Sequence, residues 1–562
     1  MQTAGLNWFD LQSAGHANRI CLRSGWNFAA LLGQGSEGWY GVLKGAGALL
    51  TPVVSGALVA IAFLDDRAWP LAWIGMTLWI AWAAEQLPYL AFRGWLLGGL
   101  VTVGIWFHWF PQVAMRHLDV SIYTSGLVTA LAVVWDAFRF GAFGYIVACI
   151  GPRGWRGTLV WPVVWVALEW IWPHLFPWRL AHSQLGWLAF CQIAEFTGAY
   201  GVSFLLVWGA AVAAEVWHRR RQALPVAGVC ALIVLANVGW GYWRIGRVEA
   251  ASAARPKLTV LLVQPGGRGE EMPDRLRRMS LAQCERADLV VWGEGSIGYF
   301  ADDLASFHDV EQVRRAARFE SPDPRPCTGL QRPLLCGGGS FAPGAAAKGP
   351  YCNTAHLIAA DERIVGRYHK RVLMPWGEYA VGQQWLPGLH GLLGEVDPWV
   401  AGNSAAPLEL NPQARLGVLI CYEDLLPQSA RETVQSGANV LINLNNLQTW
   451  GGTIAPLQHQ LLARFRTIEN RRWLVRCGTV GSTAVLSATG RVERQAPLSQ
   501  PATLVASVPL LESRTVYTRY GDVFAMVCAV IGAALIVRQA AAHWWPRKAT
   551  ASTVPSVEAA EA

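Results

Sequence analysis

The first residue in this chain whose type and position suggest chemistry is a cysteine at the end of an apolar run. Cys421 follows Val418-Leu-Ile and precedes Tyr422 and Glu423. Strand ends are where α/β folds place their sites, and a thiolate is a strong nucleophile once a nearby base or cation activates it. Because a lone cysteine in an apolar strand also fits an inert core residue, its interpretation depends on its partners.

Two other segments carry the groups that such a nucleophile needs. Glu294 directly follows the apolar run 289–292, and Lys370 precedes a Pro-Trp-Gly turn that leads to Glu378. Taken singly, each fits a solvated surface residue. Together with Cys421 they form a chemical set: a carboxylate to take the thiol proton, an ammonium to stabilise an oxyanion, and a thiol to hold an acyl group.

The elements that must position these residues lie in a charged stretch, residues 246–518. Four short apolar runs in it predict buried strands: 258–263, 289–292, 416–420 and 440–444. Residues 456–470 place apolar side chains at helical spacing. Strands alternating with helices predict a layered α/β domain.

The rest of the chain has the composition of a membrane protein. Only 15% of residues are charged, 53% are hydrophobic and 30 are Trp, whereas soluble domains carry about 25% charged residues. Eight segments are apolar enough to predict membrane spans: about 45–64, 69–88, 92–112, 121–150, 157–174, 199–217, 224–243 and 522–539. We therefore expect a membrane domain at 1–245 with about seven helices, and a last span plus a disordered tail at 519–562.

Basic residues predict the orientation of these spans. With a cytoplasmic N-terminus, most short-loop Lys and Arg fall inside: Arg19, Arg23, Lys44, Arg93, Arg153, Arg156, Arg219, Arg220, Arg221, Arg538, Arg547 and Lys548. The outside short loops carry Arg67, Arg116 and Arg179. This positive-inside bias predicts an extracytoplasmic α/β domain, which in a bacterium is periplasmic.

The fourth predicted span, 121–150, contains Asp136 and Arg139. Ionisable groups within a span are costly and face the protein interior or water. We therefore expect both side chains to point away from lipid.

Some classes of function are disfavoured. The net charge of +8 comes with no basic face or known motif that would predict nucleic-acid binding. The 11 Cys include no CxxC pair and no zinc spacing. An oxidising compartment would permit disulfides among five of them, and the sequence leaves their pairing open: Cys284, Cys327, Cys336, Cys352 and Cys477.

Longer motifs connect these residues to a known superfamily. Gly366-Arg-Tyr-His-Lys-Arg, Pro375-Trp-Gly-Glu-Tyr and Ile420-Cys-Tyr-Glu-Asp resemble signatures of the nitrilase superfamily, whose triad has the order Glu, Lys, Cys. The membrane half is similar to the apolipoprotein N-acyltransferase family in five segments: 161–170, 176–178, 183–184, 198–204 and 517–522. The resemblance covers roughly residues 45–540.

The resemblance implies a polytopic α-helical membrane domain with about eight spans and an extracytoplasmic, nitrilase-like α-β-β-α sandwich. It implies that Glu294 is the general base, Lys370 the oxyanion stabiliser and Cys421 the nucleophile. The acyl donor would be a phospholipid such as phosphatidylethanolamine, and the acceptor the diacylglyceryl-cysteine of a lipoprotein, with a thioester between them. A multi-pass monomer of the bacterial inner membrane, without metal or cofactor, is expected.

Further site residues follow from the resemblance. Glu378, Glu423 and Tyr422 are expected to support the triad, although Glu423 equally fits a structural salt bridge. Five residues are candidates for binding substrate: Asn353, Trp450, Phe176, Trp178 and Gln184.

Two departures from the family pattern leave alternatives open. Gly293 stands where the family has Pro, and residues 443–452 differ from the usual Asn-Asp-x-Trp-Phe-Gly. The alternatives are a paralogue with another amine acceptor, a membrane-anchored amidase that gives the acyl group to water, and a non-enzymatic transporter or scaffold.

Overall fold

The computed structural model describes residues 39–151, 154–267, 272–297, 325–341, 350–379 and 399–544. The predicted disordered tail at the C-terminus lies outside the described residues.

Within the described ranges, eight longer helices precede the strands and one follows them. They are α1 (Trp39–Leu64), α2 (Trp69–Ala83), α3 (Pro88–Trp106), α4 (Phe110–Leu118), α5 (Ile122–Ile150), α6 (Val160–Ile171), α7 (Ala199–Arg219), α8 (Leu224–Ala253) and, near the C-terminus, α12 (Val523–Trp544). A proline in the first turn of α2, α3, α4 and α8 helps to set where these helices begin, because that turn does not need the missing N–H.

Each of the eight predicted spans overlaps at least one of these helices. Within the described part of the chain, four helical segments are long and apolar enough to cross a membrane: Pro88–Trp106, Ile122–Ile150, Ala199–Ala253 and Val523–Ala542. The segment from Ala199 combines α7 and α8 across a tight turn. Helix α6 has only 12 residues, about 18 Å of rise, which is shorter than a bilayer core of about 30 Å. The count of about eight spans therefore stays a prediction.

Two helices turn large apolar side chains outward. Leu232 and Leu235 of α8 are 67% and 68% exposed, and Val530 and Val537 of α12 are 70% and 66% exposed. Contiguous apolar surface of this kind is rare on soluble proteins. The faces of α8 and α12 fit a lipid environment, in agreement with the membrane prediction.

Small residues allow the first helices to pack closely. A Cβ placed on Gly56 of α1 would lie 2.3 Å from the carbonyl O of Gly98 on α3. Beside this crossing, the rings of Trp79 and Trp95 stack at 4.1 Å. Such small-residue contacts supply the van der Waals packing that joins helices in lipid.

The two ionisable residues of the fourth predicted span lie inside the protein. Asp136 is 5% exposed and Arg139 is 1% exposed. The expectation that they face away from lipid is confirmed.

The central part of the chain forms two six-stranded sheets. The strands are β1 (Lys257–Gln264), β2 (Leu289–Trp292), β3 (Leu334–Phe341), β4 (Tyr351–Ile358), β5 (Ile364–His369), β6 (Leu408–Glu409), β7 (Arg415–Ile420), β8 (Val440–Asn445), β9 (Leu474–Gly478), β10 (Ala484–Leu486), β11 (Val492–Gln495) and β12 (Ala502–Pro509). Their orders are β12-β1-β2-β3-β4-β5 and β11-β10-β9-β8-β7-β6. The central strands β1-β2-β3 and β7-β8-β9 run parallel, so their carboxyl ends lie at one edge of each sheet.

The two sheets pack face to face between helices. Leu262 and Val291 of the first sheet share a core with Val418 and Ile442 of the second. Helix α9 (Met272–Leu281) covers the outer face of the first sheet. Helices α10 (Pro427–Gln435) and α11 (Ala455–Asn470) cover the second. The predicted α-β-β-α sandwich is confirmed, as are the four predicted strands and the helix over 456–470.

Helix α11 also joins the sandwich to the membrane helices. Arg464 donates to a carboxylate oxygen of Asp66 at 2.6 Å and to the carbonyl O of Leu185 at 3.0 Å. Just after the helix, Arg471 donates to Glu195 at 2.6 Å, and both side chains are buried. The sandwich is therefore held to the helical region by buried charged contacts.

The close approach of α1 and α3 can be tested with two glycine-to-alanine substitutions on α3 that should change stability in opposite directions. We expect Gly98→Ala to lower the free energy of unfolding by about 1–3 kcal/mol, because its Cβ would lie 2.4 Å from Trp79 and 2.6 Å from the carbonyl O of Pro52. Gly104→Ala is the matched control, since a Cβ there meets nothing within 4 Å, and alanine favours a helix by about 0.5–1 kcal/mol. Thermal unfolding in detergent measures both; equal effects of the two substitutions would contradict this packing.

Candidate active site

The backbone presents the Cys421 thiol at a sharp corner. Cys421 follows the last residue of β7 and opens a short turn with φ +50°, a left-handed conformation that is uncommon for a non-glycine residue. The side-chain amide of Asn443 on β8 donates to the carbonyl O of Cys421 at 3.0 Å. This bond stabilises the corner from the neighbouring strand.

Glu294 approaches the thiol from the other sheet. It follows the end of β2, and its carboxylate lies close enough to the Cys421 thiol for each group to shift the pKa of the other. Gly293 lets β2 come this close, because a Cβ there would lie 2.7 Å from the backbone N of Thr479. A proline also carries a Cβ, so the departure at Gly293 matches the local packing and leaves Glu294 in place.

Lys370 completes the set from the end of β5. Its Nζ lies 2.7 Å from Glu378 Oε2 and 4.0 Å from Glu294 Oε1, and the side chain is buried. Asn353 on β4 donates to Glu294 Oε1 at 2.7 Å and to Glu378 Oε1 at 3.3 Å. One amide and one ammonium thus hold both carboxylates beside Cys421.

Burial and charge set the protonation of these groups. Burial raises the pKa of Glu294 above its usual value, against the opposing effect of Lys370. Burial alone would lower the pKa of Lys370, but Glu378 and Glu294 outweigh it and raise that pKa. Burial and Glu294 raise the pKa of the Cys421 thiol well above its usual range. The thiol therefore rests protonated, and an attack by sulfur must be coupled to proton transfer.

Glu423 fixes the positions of Cys421 and Lys370 relative to each other. Its carboxylate accepts from the hydroxyl of Tyr368 at 3.0 Å and from the backbone N–H of Arg371, Val372 and Ile420 at 2.8, 3.1 and 2.8 Å. Arg371 and Val372 directly follow Lys370 in the chain, and Ile420 directly precedes Cys421. Because these donors are neutral groups, Glu423 anchors the backbone here, and the alternative of a structural salt bridge does not describe these contacts.

Aromatic side chains from the helical region and from the sandwich line the neighbourhood of Cys421. The Tyr422 hydroxyl donates to the carbonyl O of Leu175 at 2.6 Å. The Trp450 ring stacks on Trp109 and meets the edge of Phe176, both at 5.5 Å. Cys421 packs against the same apolar cluster. The thiol thus lies between a polar triad and an aromatic wall.

Two of the candidate substrate-binding residues are engaged elsewhere. Trp178 is 2% exposed and donates its indole N–H to Asp136. Gln184 is fully buried, accepts from Trp73 Nε1 at 2.8 Å and donates to the carbonyl O of Trp69 at 3.2 Å. Because their polar atoms are already paired within the helical region, the structure gives both a packing role there.

Several site residues were not identified from the sequence. Asn443 was visible only as a polar residue in an apolar run, and Asn446 makes a backbone hydrogen bond to the Cys421 sulfur. Behind the site, Arg476 donates to Asp424 at 2.8 Å and contacts His459 Nδ1 at 2.6 Å. Two of these residues belong to the unusual stretch 443–452, which therefore builds the site.

Cys421 is a free thiol, as are Cys284, Cys336 and Cys477, so the bond between Cys327 and Cys336 that the sequence allows is not formed here. No three His, Cys, Asp or Glu side chains in the described ranges come together as a metal site.

Comparisons with known proteins agree with this geometry. A model of the carbon-nitrogen hydrolase family matches residues 246–517, and one of the apolipoprotein N-acyltransferase N-terminal domain matches residues 55–212. The apolipoprotein N-acyltransferase of Geobacter metallireducens is 29% identical over 517 residues, covering 88% of this chain and 96% of its own length. That of Caulobacter vibrioides is 28% identical, covering 81% and 87%.

The crystal structure of a carbon-nitrogen hydrolase from Helicobacter pylori is 17% identical, with a TM-score of 0.36, and covers 48% of this chain and 95% of its own.

The two family models match successive parts of one chain, and relatives that share one name align with most of its length. These matches support an acyltransferase of the apolipoprotein N-acyltransferase family in the nitrilase superfamily.

Proposed function

We propose that this protein transfers a fatty acyl group from a phospholipid to the α-amine of a diacylglyceryl-modified N-terminal cysteine on lipoproteins. One observation carries the proposal: the Cys421 thiol lies between a Glu294–Lys370 pair and an aromatic wall that includes residues of the membrane helices. A soluble amidase would not need such a wall. An enzyme whose acyl donor and acceptor are both lipids does.

The first half-reaction forms a thioester. Glu294 takes the proton of the Cys421 thiol as sulfur attacks the ester carbonyl of the phospholipid. Lys370 Nζ and the backbone N–H of Asn446 stabilise the oxyanion, an effect worth about 3–4 kcal/mol per donor. The ester C–O bond breaks, Glu294 returns the proton to the departing oxygen, and lysophospholipid leaves with Cys421 acylated.

The second half-reaction makes the amide. The free amine of the acceptor attacks the thioester carbonyl, and Glu294 takes one amine proton. The C–S bond breaks, and the proton returns to the Cys421 sulfur. The enzyme regains its starting state, and the product is an N-acylated lipoprotein. No redox step or external co-reactant is required.

Both lipids are held in one membrane, and this explains the arrangement of the protein. Ion pairs from Arg464 of α11 and from Arg471 just after it to the helical region support a position of the triad beside the bilayer. The charge bias of the loops supports a position of the sandwich outside the cytoplasm, where exported lipoproteins are found. We accordingly propose a location in the bacterial inner membrane, with the site on its periplasmic side, phosphatidylethanolamine as a donor, and a monomeric state.

Acylation of a peptide is the decisive test of this function. We expect purified protein, given phosphatidylethanolamine and a diacylglyceryl-cysteine peptide, to gain an acyl group on Cys421 and pass it to the peptide amine. Cys421→Ala should reduce both events by more than about a thousandfold. Cys284→Ala is the matched control, since Cys284 is also a buried free thiol but lies under α9.

Mass spectrometry of protein and peptide distinguishes the alternatives. An acyl-enzyme with an unchanged peptide would indicate another amine acceptor, and release of free fatty acid without an amide would indicate an amidase. No acyl group on either molecule would contradict the thioester mechanism.

The pH dependence of sulfur reactivity tests the base. The pKa of Glu294 is raised by burial, and the base works only when unprotonated. The rate of Cys421 alkylation by iodoacetamide should therefore fall as pH drops through that raised pKa. Asn353→Ala should move this acidic limb to higher pH, because the amide N–H of Asn353 stabilises the charged carboxylate. Rapid alkylation at differing pH, with Asn411→Ala as a control on a distant turn, measures the shift; a limb that stays in place or moves to lower pH would exclude Asn353 as the donor that tunes Glu294.

A further inference from the structure

A buried polar cluster in the helical region, formed by Asp136, Arg139 and His174, holds the segment 174–178, which contacts residues beside Cys421. Asp136 of α5 accepts from Trp178 Nε1 through Oδ2 and contacts His174 Nδ1 through Oδ1 at 2.9 Å. One carboxylate therefore binds both ends of the segment 174–178. Leu175 and Phe176, which lie between these anchors, are the residues that reach the neighbourhood of Cys421.

The protonation state of His174 follows from its two partners. Arg139, one turn further along α5, lies with Nη1 3.1 Å from His174 Nε2. A guanidinium can only donate, so Nε2 accepts. The proton of a neutral imidazole is then on Nδ1, where it is donated to Asp136. Arg139 also lies over the Trp178 ring at 4.5 Å, so it contacts both anchored residues.

The segment held in this way makes two contacts beside the nucleophile. The carbonyl O of Leu175 accepts from the hydroxyl of Tyr422, the residue next to Cys421, at 2.6 Å. Phe176 packs against the edge of the Trp450 ring at 5.5 Å. Tyr422 and Trp450 belong to the sandwich, whereas Asp136 and Arg139 belong to a membrane helix. The segment thus connects a buried charge in the helical region to the corner that carries the thiol.

We propose that Asp136, His174 and Arg139 are positioning residues that hold the segment 174–178 against Tyr422 and Trp450, so that a membrane-held acyl donor meets Cys421 in register. This inference rests on the proposed function. The three residues do not touch the triad, and they act through Leu175 and Phe176. Their loss should slow attack on a lipid ester while leaving the intrinsic reactivity of the thiol unchanged.

Substitutions at Asp136 and His174 separate the individual bonds. Asp136→Asn offers one acceptor where two donors arrive, so it releases one end of the segment. His174→Asn keeps a donor near the Nδ1 position and retains the bond to Asp136, whereas His174→Ala loses both bonds. Thr129→Ala is the matched control on the same helix, since its hydroxyl donates to the carbonyl O of Ser125 within that helix.

Two rates distinguish positioning from general damage. We expect Asp136→Asn and His174→Ala to slow acylation of Cys421 by phosphatidylethanolamine by about tenfold or more, since small misplacements cost rates of this order. His174→Asn should recover most of that rate. Alkylation of Cys421 by iodoacetamide should stay within about twofold of wild type in all variants. Loss of both rates together, or of neither, would overturn the proposal.

A double-substitution cycle tests the path through Tyr422. If Asp136 acts through the segment, Asp136→Asn combined with Tyr422→Phe should be no slower than the worse single variant. If the rate losses of the two single variants multiply in the double variant, Asp136 and Tyr422 act independently.

Hydrogen exchange provides a readout that does not need acyl transfer. Asp136→Asn should speed amide exchange in both 174–180 and 421–425, and Thr129→Ala in neither. If wild type forms no acyl-enzyme, the proposed function fails, and this exchange result still decides the positioning. Unchanged exchange at 421–425 would refute the connection between cluster and nucleophile.

Discussion

The active site depends on one buried ammonium, that of Lys370, held between two carboxylates. Taking a charge out of water costs several kcal/mol unless partners replace the solvent. Glu378 at 2.7 Å and Glu294 at 4.0 Å supply the opposite charge. Without the ammonium, two carboxylates bridged by Asn353 would face each other in a low-dielectric site, and one would take up a proton. The groups that we propose as base and oxyanion stabiliser therefore form a single electrostatic unit.

That unit requires two sheets to meet at close range. Glu294 comes from one sheet and Cys421 from the other, so their contact depends on how near β2 lies to the ends of β8 and β9. Gly293 permits this approach, and Gly337 does the same on the other side, where a Cβ would lie 2.6 Å from the Cα of Glu294. Side chains at these positions would push apart the acid–base pair. The glycines are thus part of the catalytic geometry although they carry no functional group.

The sequence predicted the strands and the triad because both leave local signals. Apolar runs ending in a polar residue mark the ends of β2 and β7, and helical spacing marks α11. The number of membrane crossings has no such local signal, since α6 is short and the length of an apolar segment does not define a crossing. The partners of Trp178 and Gln184 could not be predicted either. The partners of each side chain depend on which helix packs beside it, and the residues of that helix are distant in sequence from the segment 176–184.

The same limit explains why Gly293 and residues 443–452 suggested a different acceptor. A departure from a family motif is visible in sequence, but its compensation is not. In the structure, Asn443 on β8 supports the carbonyl of Cys421 from a neighbouring strand, and Gly293 fits a backbone that lies 2.7 Å from where its Cβ would be. Both departures are accommodated within the site, so they give no reason of their own to change the chemistry.

Buried charge also decides how substrates reach the thiol. Removing one partner of a buried ion pair costs about 3–5 kcal/mol, and Arg471–Glu195 is such a pair between the sandwich and the helical region. A sandwich held by this contact stays docked through a catalytic cycle. In the proposed reaction, Cys421 then does not travel to its substrates, and the two membrane-held lipids come to it in turn. A ping-pong thioester suits this constraint, because Cys421 can hold the acyl group after the donor has left and before the acceptor arrives.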